Sequence, residues 1–428
     1  MARPETLALL IARNLLEKVD EPGEQLALHQ TLAEAARTRP IAAAQERHRA
    51  YYLALVNENR EDWRRIAAVY RQIQWAWEQA AEDEKLLDLV WALRRYQNRR
   101  GLWRDYLDWA GRGLQVTQTH HLRQDEGTLL NNIGSIYDDL GQPDKALDYY
   151  GRALPIREEV GDRGGLAVTL NNLGRVYDGL GQPDKALDYY GRALPILEEA
   201  GDRGGLATTL NNLGLVYANL GQPDKALDYY GRALPITEEV GDRAGLAATL
   251  NNLGAVYHAL GQPDQALDYY GRALPILEEV GDRGGLARTL NNLGLVYDNL
   301  GQPDQALDYY GRALPIQEEV GDRAGLAVTL SNLGRVYANL GQPDQALDYY
   351  GRALPITEEV GDRYGESITR YNMAWIYRAQ GRLAEAVAEL RRAVELARLV
   401  QSPHLTTFTD TLAQVEAQLR QRQSPGSS

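Results

Sequence analysis

The sequence has no cysteine among its 428 residues. It therefore forms no disulfide and offers no thiolate to a metal, and nothing in it points to an oxidising compartment. Its longest apolar runs are far too short to span a bilayer, so no membrane association is expected. No glycine-rich G-x-x-x-x-G-K stretch followed by Ser or Thr occurs, which removes the usual backbone cradle for a triphosphate. The six histidines, His29, His48, His120, His121, His258 and His404, keep no spacing to carboxylates that resembles a metal motif. His120 and His121 are adjacent and point to different sides of a helix; a loop or helix end is the expected place for them. The opening stretch MARPETLALLIARNLLEKVDE carries Glu5 and lacks a small-residue cleavage site, so no signal peptide is expected. A cytoplasmic, non-enzymatic chain without cofactor or metal is the expectation these absences leave.

What charge there is lies unevenly. The formal net charge is -13. Residues 1–124 hold 19 Lys and Arg against 17 Asp and Glu, a balance of +2, and the remainder holds 27 against 42, a balance of -15. An acidic surface of that size repels phosphate backbones, which argues against nucleic acid as a ligand. Most of the 26 tyrosines recur at three per repeat, and those of the Tyr217 type belong to a packing stripe, so they do not signal base stacking.

The dominant feature is a 40-residue repeat. The unit GLATTLNNLGLVYANLGQPDKALDYYGRALPITEEVGDR occurs in six near-identical copies from about residue 125 to 364, and a degenerate seventh follows at 365–404. Each unit holds two helical patterns. The first places Leu206, Leu210, Leu213, Val216, Tyr217 and Leu220 at a 3.6-residue period. Gly221 suits the position just past its end, and Pro223 the first turn of the next helix, where a missing N–H costs nothing. The second helix is expected to bury Ala226, Leu227, Tyr230, Ala233 and Leu234, to end near Gly241, and to hand over to Asp242 as the next N-cap. Two helices per unit at a fixed period give an α-solenoid.

The Leu213-Gly214 pair followed by Tyr217, Ala226, Tyr230 and Ala233 resembles the tetratricopeptide repeat. The 40-residue length and the TLNNLG motif look most like its kinesin-light-chain subtype. The resemblance implies an all-α, right-handed superhelix that binds something. One departure is Pro235, repeated at Pro155, Pro195, Pro275, Pro315 and Pro355, inside the second helix. The carbonyl it would strike belongs to a glycine, Gly231 or its equivalent, and a systematic kink is expected there.

The ends read differently. RHRAYYLAL, a Trp-rich helix and RGLWRDYLDWAGRGL, within 46–115, resemble the helical arm that precedes the repeat sensor in STAND signalling ATPases. Before them, LLEKVD, a Glu-Pro-Gly turn and EQLALH lie between two helical stretches. That order resembles the end of a winged helix, with a β-hairpin wing and His29 opening an H-x-x-L helix; a worn helical hairpin is the other reading. The organisation expected is a winged-helix-like remnant at 1–38, an arm of degenerate hairpins at 39–124, seven repeats at 125–404, and a cap helix with a disordered tail at 405–428.

Within this order, each first helix carries an unexpected asparagine pair: Asn131 and Asn132, Asn171 and Asn172, Asn211 and Asn212, Asn251 and Asn252, Asn291 and Asn292; the sixth copy keeps only Asn332. Asparagine is a poor helix former. On a helical projection the core stripe centres near 310° and the two amides fall near about 100° and 200°, so neither is expected in the core. Four positions of the first helix vary most between copies. One begins with Val168; the others begin with Ser135, Asp138 and Asp139 and pass through Arg175, Asp178 and Gly179, and later copies include Leu215, His258, Arg288, Asp298 and Arg335. All project within about 80–180°, opposite the core. The second helix also exposes Asp188, Arg192, Glu198 and Glu199, whose equivalents do not change in any of the six copies. Variation is therefore expected to be confined to one face.

Neutral drift on a solvated face and ligand recognition are the two readings of that stripe, and the fixed opposite face favours the second. The resemblance implies that first helices line a concave groove, where amides pair with the backbone of an extended peptide. The constant second amide could equally bond the adjacent repeat. The function expected is a ligand sensor that binds a peptide, protein or small molecule and relieves autoinhibition of the NTPase switch domain of a parent protein, the isolated chain being monomeric. A free-standing adaptor of kinesin-light-chain type is the alternative.

Overall fold

The computed structural model describes residues 16–19, 25–28, 42–60, 62–78, 80 and 83–423. It divides into two compact units, 1–172 and 173–428.

In the first unit, strands β1 (Leu16–Val19) and β2 (Gln25–Leu28) pair antiparallel, Leu16 opposite Leu28 and Val19 opposite Gln25. That is the hairpin expected around the Glu-Pro-Gly turn. Its flanking helices and His29 lie outside the described residues. Four helices follow: α1 (Ala42–Glu58), α2 (Trp63–Glu78), α3 (Leu86–Arg99) and α4 (Trp103–Thr119). Their core is aromatic. Trp77 and Trp109 stack with ring centres 4.3 Å apart, and Tyr106 is fully buried. The Tyr70 hydroxyl donates to Asp105 at 2.8 Å and accepts from Gln97 at 3.0 Å; burial and the Asp105 charge raise its pKa. α4 stops at Thr119, and His120 and His121 occupy its end, the latter at φ 57°. A helix end is one of the two places expected for them. The first repeat, α5 (Arg123–Asp139) and α6 (Pro143–Glu159), and the start of α7 (Arg163–Gly179) complete this unit.

The second unit takes up the rest of α7 and continues with α8 (Pro183–Ala200), α9 (Arg203–Asn219), α10 (Pro223–Val240), α11 (Arg243–Ala259), α12 (Pro263–Val280), α13 (Arg283–Asn299), α14 (Pro303–Val320), α15 (Arg323–Asn339) and α16 (Pro343–Val360). The degenerate repeat α17 (Arg363–Ala379) and α18 (Leu383–Leu399) and the cap helix α19 (Leu405–Gln423) close it. Among the described residues there are nineteen helices and no strand beyond the hairpin, so the all-α, paired-helix architecture is as expected.

Local chemistry sets every boundary of the repeat. Asp202, Asp242, Asp282 and Asp322 each accept a hydrogen bond from the backbone N–H three residues on, at 2.9 Å, capping α9, α11, α13 and α15. At the other end Gly221 sits at φ 67°, a left-handed conformation that glycine adopts without strain, and the Gln222 N–H returns to the Tyr217 carbonyl. Leu220 is the C-cap residue and is 39% exposed, so it leaves the stripe in which periodicity placed it. The second helices run unbroken through Pro235 and its equivalents. Nothing but the helix itself lies within 4 Å of where a Gly231 Cβ would be, so no packed neighbour requires a glycine there.

The joint inside each of the six near-identical repeats explains the Leu-Gly pair. Tyr230 is fully buried, and a Cβ on Gly214 would lie 2.6 Å from its ring. The same close approach recurs at Gly254 with Tyr270 and Gly294 with Tyr310. Glycine in mid-helix is unfavourable, but here it lets a large aromatic ring lie against the backbone.

Candidate functional site

The first helices of consecutive repeats bond to one another through the asparagine pairs. In the first unit Asn131 Oδ1 accepts from Thr169 Oγ1 at 3.1 Å and from Asn172 Nδ2 at 3.2 Å. In the second, Asn291 Oδ1 accepts from Thr329 at 2.9 Å and Asn332 at 3.4 Å, Asn251 from Thr289 at 2.9 Å, and Asn211 from Asn252 at 3.3 Å. Where Ser331 replaces the first asparagine, its hydroxyl meets Thr369 at 3.0 Å. The second amide also reaches the buried tyrosine of the preceding hairpin. Burial pushes the Tyr270 and Tyr350 hydroxyls up, and hydrogen bonds with Asn292 and Asn372 oppose the shift.

The projection is corrected by these contacts. Asn131, Asn132 and Asn251 are buried, and Asn171, Asn172, Asn211, Asn212, Asn252, Asn291, Asn292 and Asn332 are half-buried. A projection describes one helix, whereas the side facing 100–200° is covered by the next first helix. The carbonyl oxygens of Asn131, Asn211, Asn251 and Asn291 are thus already engaged within the scaffold.

The varied positions stay more open. Arg175, Leu215 and Arg288 are exposed, and Asp178, His258, Asp298 and Arg335 half-buried. The structure brings His258, Asp298 and Arg335 together from α11, α13 and α15. Arg335 Nη2 lies 2.8 Å from Asp298 Oδ2, and His258 Nε2 is 2.8 Å from Asn299 Nδ2. Burial, then the Arg335 charge, hold the His258 imidazole below its usual range. Burial likewise raises the Asp178 carboxyl, which stands near enough to Tyr230 to raise that hydroxyl. Arg288 sits in the first half of α13 and does not join this group.

Between neighbouring first helices the stripe opens into recesses. One, of about 420 Å³, is walled by Leu215, Ala218, Ala255 and Ala259 with Asn252 and Tyr230 at its base. Another, of about 530 Å³, lies among Arg335, Ala338, Asn372 and Trp375. Trp375 was not singled out from the sequence, although it falls 40 residues after Arg335 and so continues the varied stripe. The register carried into the degenerate copy was the available signal.

The recurring Glu-Glu pairs are ion-paired: Arg243 reaches Glu279 at 2.5 Å and Arg283 reaches Glu319 at 2.6 Å, while Arg232 reaches Glu198 of the preceding repeat at 3.4 Å. Their constancy thus has a structural cause besides solvation. Variation, moreover, is not confined to the first helices. Arg157, Leu197, Thr237, Leu277, Gln317 and Thr357 occupy one position of the second helix, and all are buried. There the side chain faces the glycine that opens the next first helix; a Cβ on Gly205 would meet Leu197 at 2.7 Å.

Among the described residues no group of three His, Asp or Glu side chains could hold a metal ion. None of the described helices is long and apolar enough to cross a membrane.

A family model described as tetratricopeptide repeat matches residues 125–199, 205–279, 270–319, 285–359 and 325–398, more than half of the chain. A comparison with curated sequences finds no match. The chain is similar to a solved Signal Transduction ATPase with Numerous Domains (STAND) protein with a tetratricopeptide repeat sensor from Pyrococcus horikoshii, at 16% identity and TM-score 0.67, over 96% of this chain and 60% of that one. It is similar to the apo quorum sensor NprR from B. thuringiensis, at 16% identity and TM-score 0.58, over 83% of this chain and 99% of that one. A Rap protein complexed with competence and sporulation factor gives 17% identity and TM-score 0.53, over 88% and 99%. At these identities the likeness is one of fold.

Proposed function

The chain belongs to the tetratricopeptide repeat family, and from that premise we propose that it is a non-catalytic binding region that takes a peptide or protein ligand along its first helices. The observation that carries this reading is the stripe itself. The four most varied positions of the first helix share one face, and three of them line recesses, whereas the constant asparagines and the Glu-Glu pairs are engaged in holding repeats together. Ligand contacts would come from Arg175, Asp178, Leu215, His258, Arg288, Asp298 and Arg335. The amides behind them keep the helices in register.

In the STAND neighbour the tetratricopeptide repeats are the sensor, and the Rap neighbour is seen with competence and sporulation factor. The helical arm and the β-hairpin support the same placement here, as the ligand-sensing part of a STAND ATPase that holds its switch domain inactive until the groove is filled.

A random dodecapeptide library panned on the full chain tests binding. Leu215→Asp with Ala255→Asp fills one recess with charge at two exposed positions. Selected peptides should lose at least about tenfold in affinity for this variant, at an unchanged melting temperature. Peptides indifferent to it would remove the first helices as the binding face. The switch is tested separately: an in-frame phosphate-loop ATPase upstream, stimulated by the selected peptides, is expected, and a reading frame that starts at Met1 as a free adaptor contradicts it.

A further inference from the structure

The recesses differ along the stripe, and the last pair is unlike the others. Trp375 is 48% exposed on α17, at the position held by Leu215 and Arg335 in earlier copies. It forms a wall of two recesses at once. One, of about 530 Å³, carries Arg335; the other, of about 650 Å³, carries Arg378 and Arg422, with Gln418 and Gln421 from the cap helix. No carboxylate lines either recess. In an array whose balance is -15 over residues 125–428, that is a local reversal of sign.

The three guanidiniums are differently placed to receive an anion. Arg378 lies over the Trp375 ring at 5.1 Å and has no carboxylate partner among the described residues. Arg422 donates one N–H to the Gly381 carbonyl at 3.1 Å and is otherwise exposed. Arg335 is already ion-paired with Asp298 at 2.8 Å and lies against the Tyr310 hydroxyl, so it is not free to take an anion. The other nearby acids are matched by their own arginines, Glu385 by Arg382 and Glu416 by Arg391. A planar carboxylate fits the fork of a guanidinium, and an exposed indole offers an apolar bed beside it.

We propose that this end of the stripe is a subsite for a peptide in which acidic side chains flank an apolar or aromatic one, the carboxylates meeting Arg378 and Arg422 while the apolar side chain rests on Trp375. The proposal rests on the groove reading above and adds the ligand's chemistry. The surrounding acidic surface repels such a peptide everywhere else, so the cluster also fixes where along the array it lands.

The test is the same dodecapeptide library panned on the full chain and, in parallel, on an Arg378→Glu, Arg422→Glu variant. Peptides enriched on the unmodified chain should be net acidic and carry an apolar residue between the acids; the variant should enrich basic ones. Synthesised with both ends blocked, the acidic peptides should bind at least about tenfold more weakly to Arg378→Glu and to Trp375→Ala, and should weaken by a similar factor between about 50 and 300 mM NaCl. Both side chains are accessible, so melting temperatures should hold. Peptides without acidic bias, or acidic peptides that bind Trp375→Ala and Arg378→Glu undiminished, overturn the subsite. If such peptides are still lost on Leu215→Asp, the groove reading survives; if nothing is enriched, both fall. A dimer that dissociates on Trp375→Ala would make a second copy the occupant and likewise overturn it.

Discussion

The arm and the array are both made of helical hairpins, yet they solve the packing problem in opposite ways. The arm joins its helices with unlike aromatic contacts: Trp77 on Trp109, Tyr70 bonded to Asp105 and Gln97, and Arg112 over the Trp77 ring at 4.6 Å. The array uses one joint in its six near-identical repeats, a buried tyrosine against a helix glycine, and copies it. A unique joint leaves no internal comparison, so every arm residue is ambiguous between packing and function. A copied joint separates the two, because whatever packing requires is repeated and what differs has another cause. The buried position that runs from Arg157 to Thr357 marks the limit of that logic: a joint facing a glycine tolerates several side chains, so variation there reports adaptable packing.

The contrast can be broken most strongly at the joints. Tyr270→Ala should cost about 3–5 kcal/mol, and Gly254→Ala, which forces a Cβ to 2.7 Å from the Tyr270 ring, about 1–3 kcal/mol. Both should appear in urea unfolding as a loss centred on the neighbouring repeats. In the arm, Gly111→Ala on α4 meets nothing within 4 Å and should be neutral or stabilising by up to about 1 kcal/mol through helix propensity. Equal losses at Gly254 and Gly111 would dissolve the distinction.

Next come the amides. Asn291→Ala removes the acceptor shared by Thr329 and Asn332 and should lower stability by about 1–3 kcal/mol, read as a fall in the ligand-free melting temperature. An unchanged melting point would return the amides to a role in binding alone. Smaller still are the ion pairs on the constant face. Arg243→Gln, breaking the half-exposed pair with Glu279, should cost less than about 1 kcal/mol and nothing at high salt.

The smallest effect is protonic. The His258 pKa is depressed by burial and by Arg335, so the unfolded chain binds a proton that the folded chain refuses. Stability should therefore fall as the pH drops below about 6.5, the unfolded value, and the loss should continue down to the folded pKa. His258→Asn should flatten that part of the pH–stability curve, and a curve unaltered by the substitution would show that the imidazole is not strained in this way.

Helix boundaries were legible because their signals are local: Asp242 and Gly245 lie three residues apart, and Gly221 with Pro223 punctuates one turn. The β-hairpin was legible for the same reason. The surroundings of the asparagines were not, because burial of a solenoid helix depends on its neighbour and a projection sees only one helix. The recess at Trp375 was obscured by the wear of the seventh copy, whose sequence no longer repeats but whose register does. Leu220 was misplaced by periodicity alone; the chain leaves the helix at that residue.

The central claim is that constant positions hold the array and varied ones recognise the ligand. One paired measurement reaches it directly: peptide affinity and ligand-free melting temperature for two variants of the full chain, using the peptides selected above. The first variant changes the stripe, Leu215→Asp with Ala255→Asp; the second changes the ladder, Asn251→Ala with Asn291→Ala. The stripe variant should lose at least about tenfold in affinity with its melting temperature preserved, and the ladder variant should melt several degrees lower while keeping affinity wherever it remains folded. A ladder variant that melts normally but no longer binds, beside a stripe variant that binds as before, would contradict the claim.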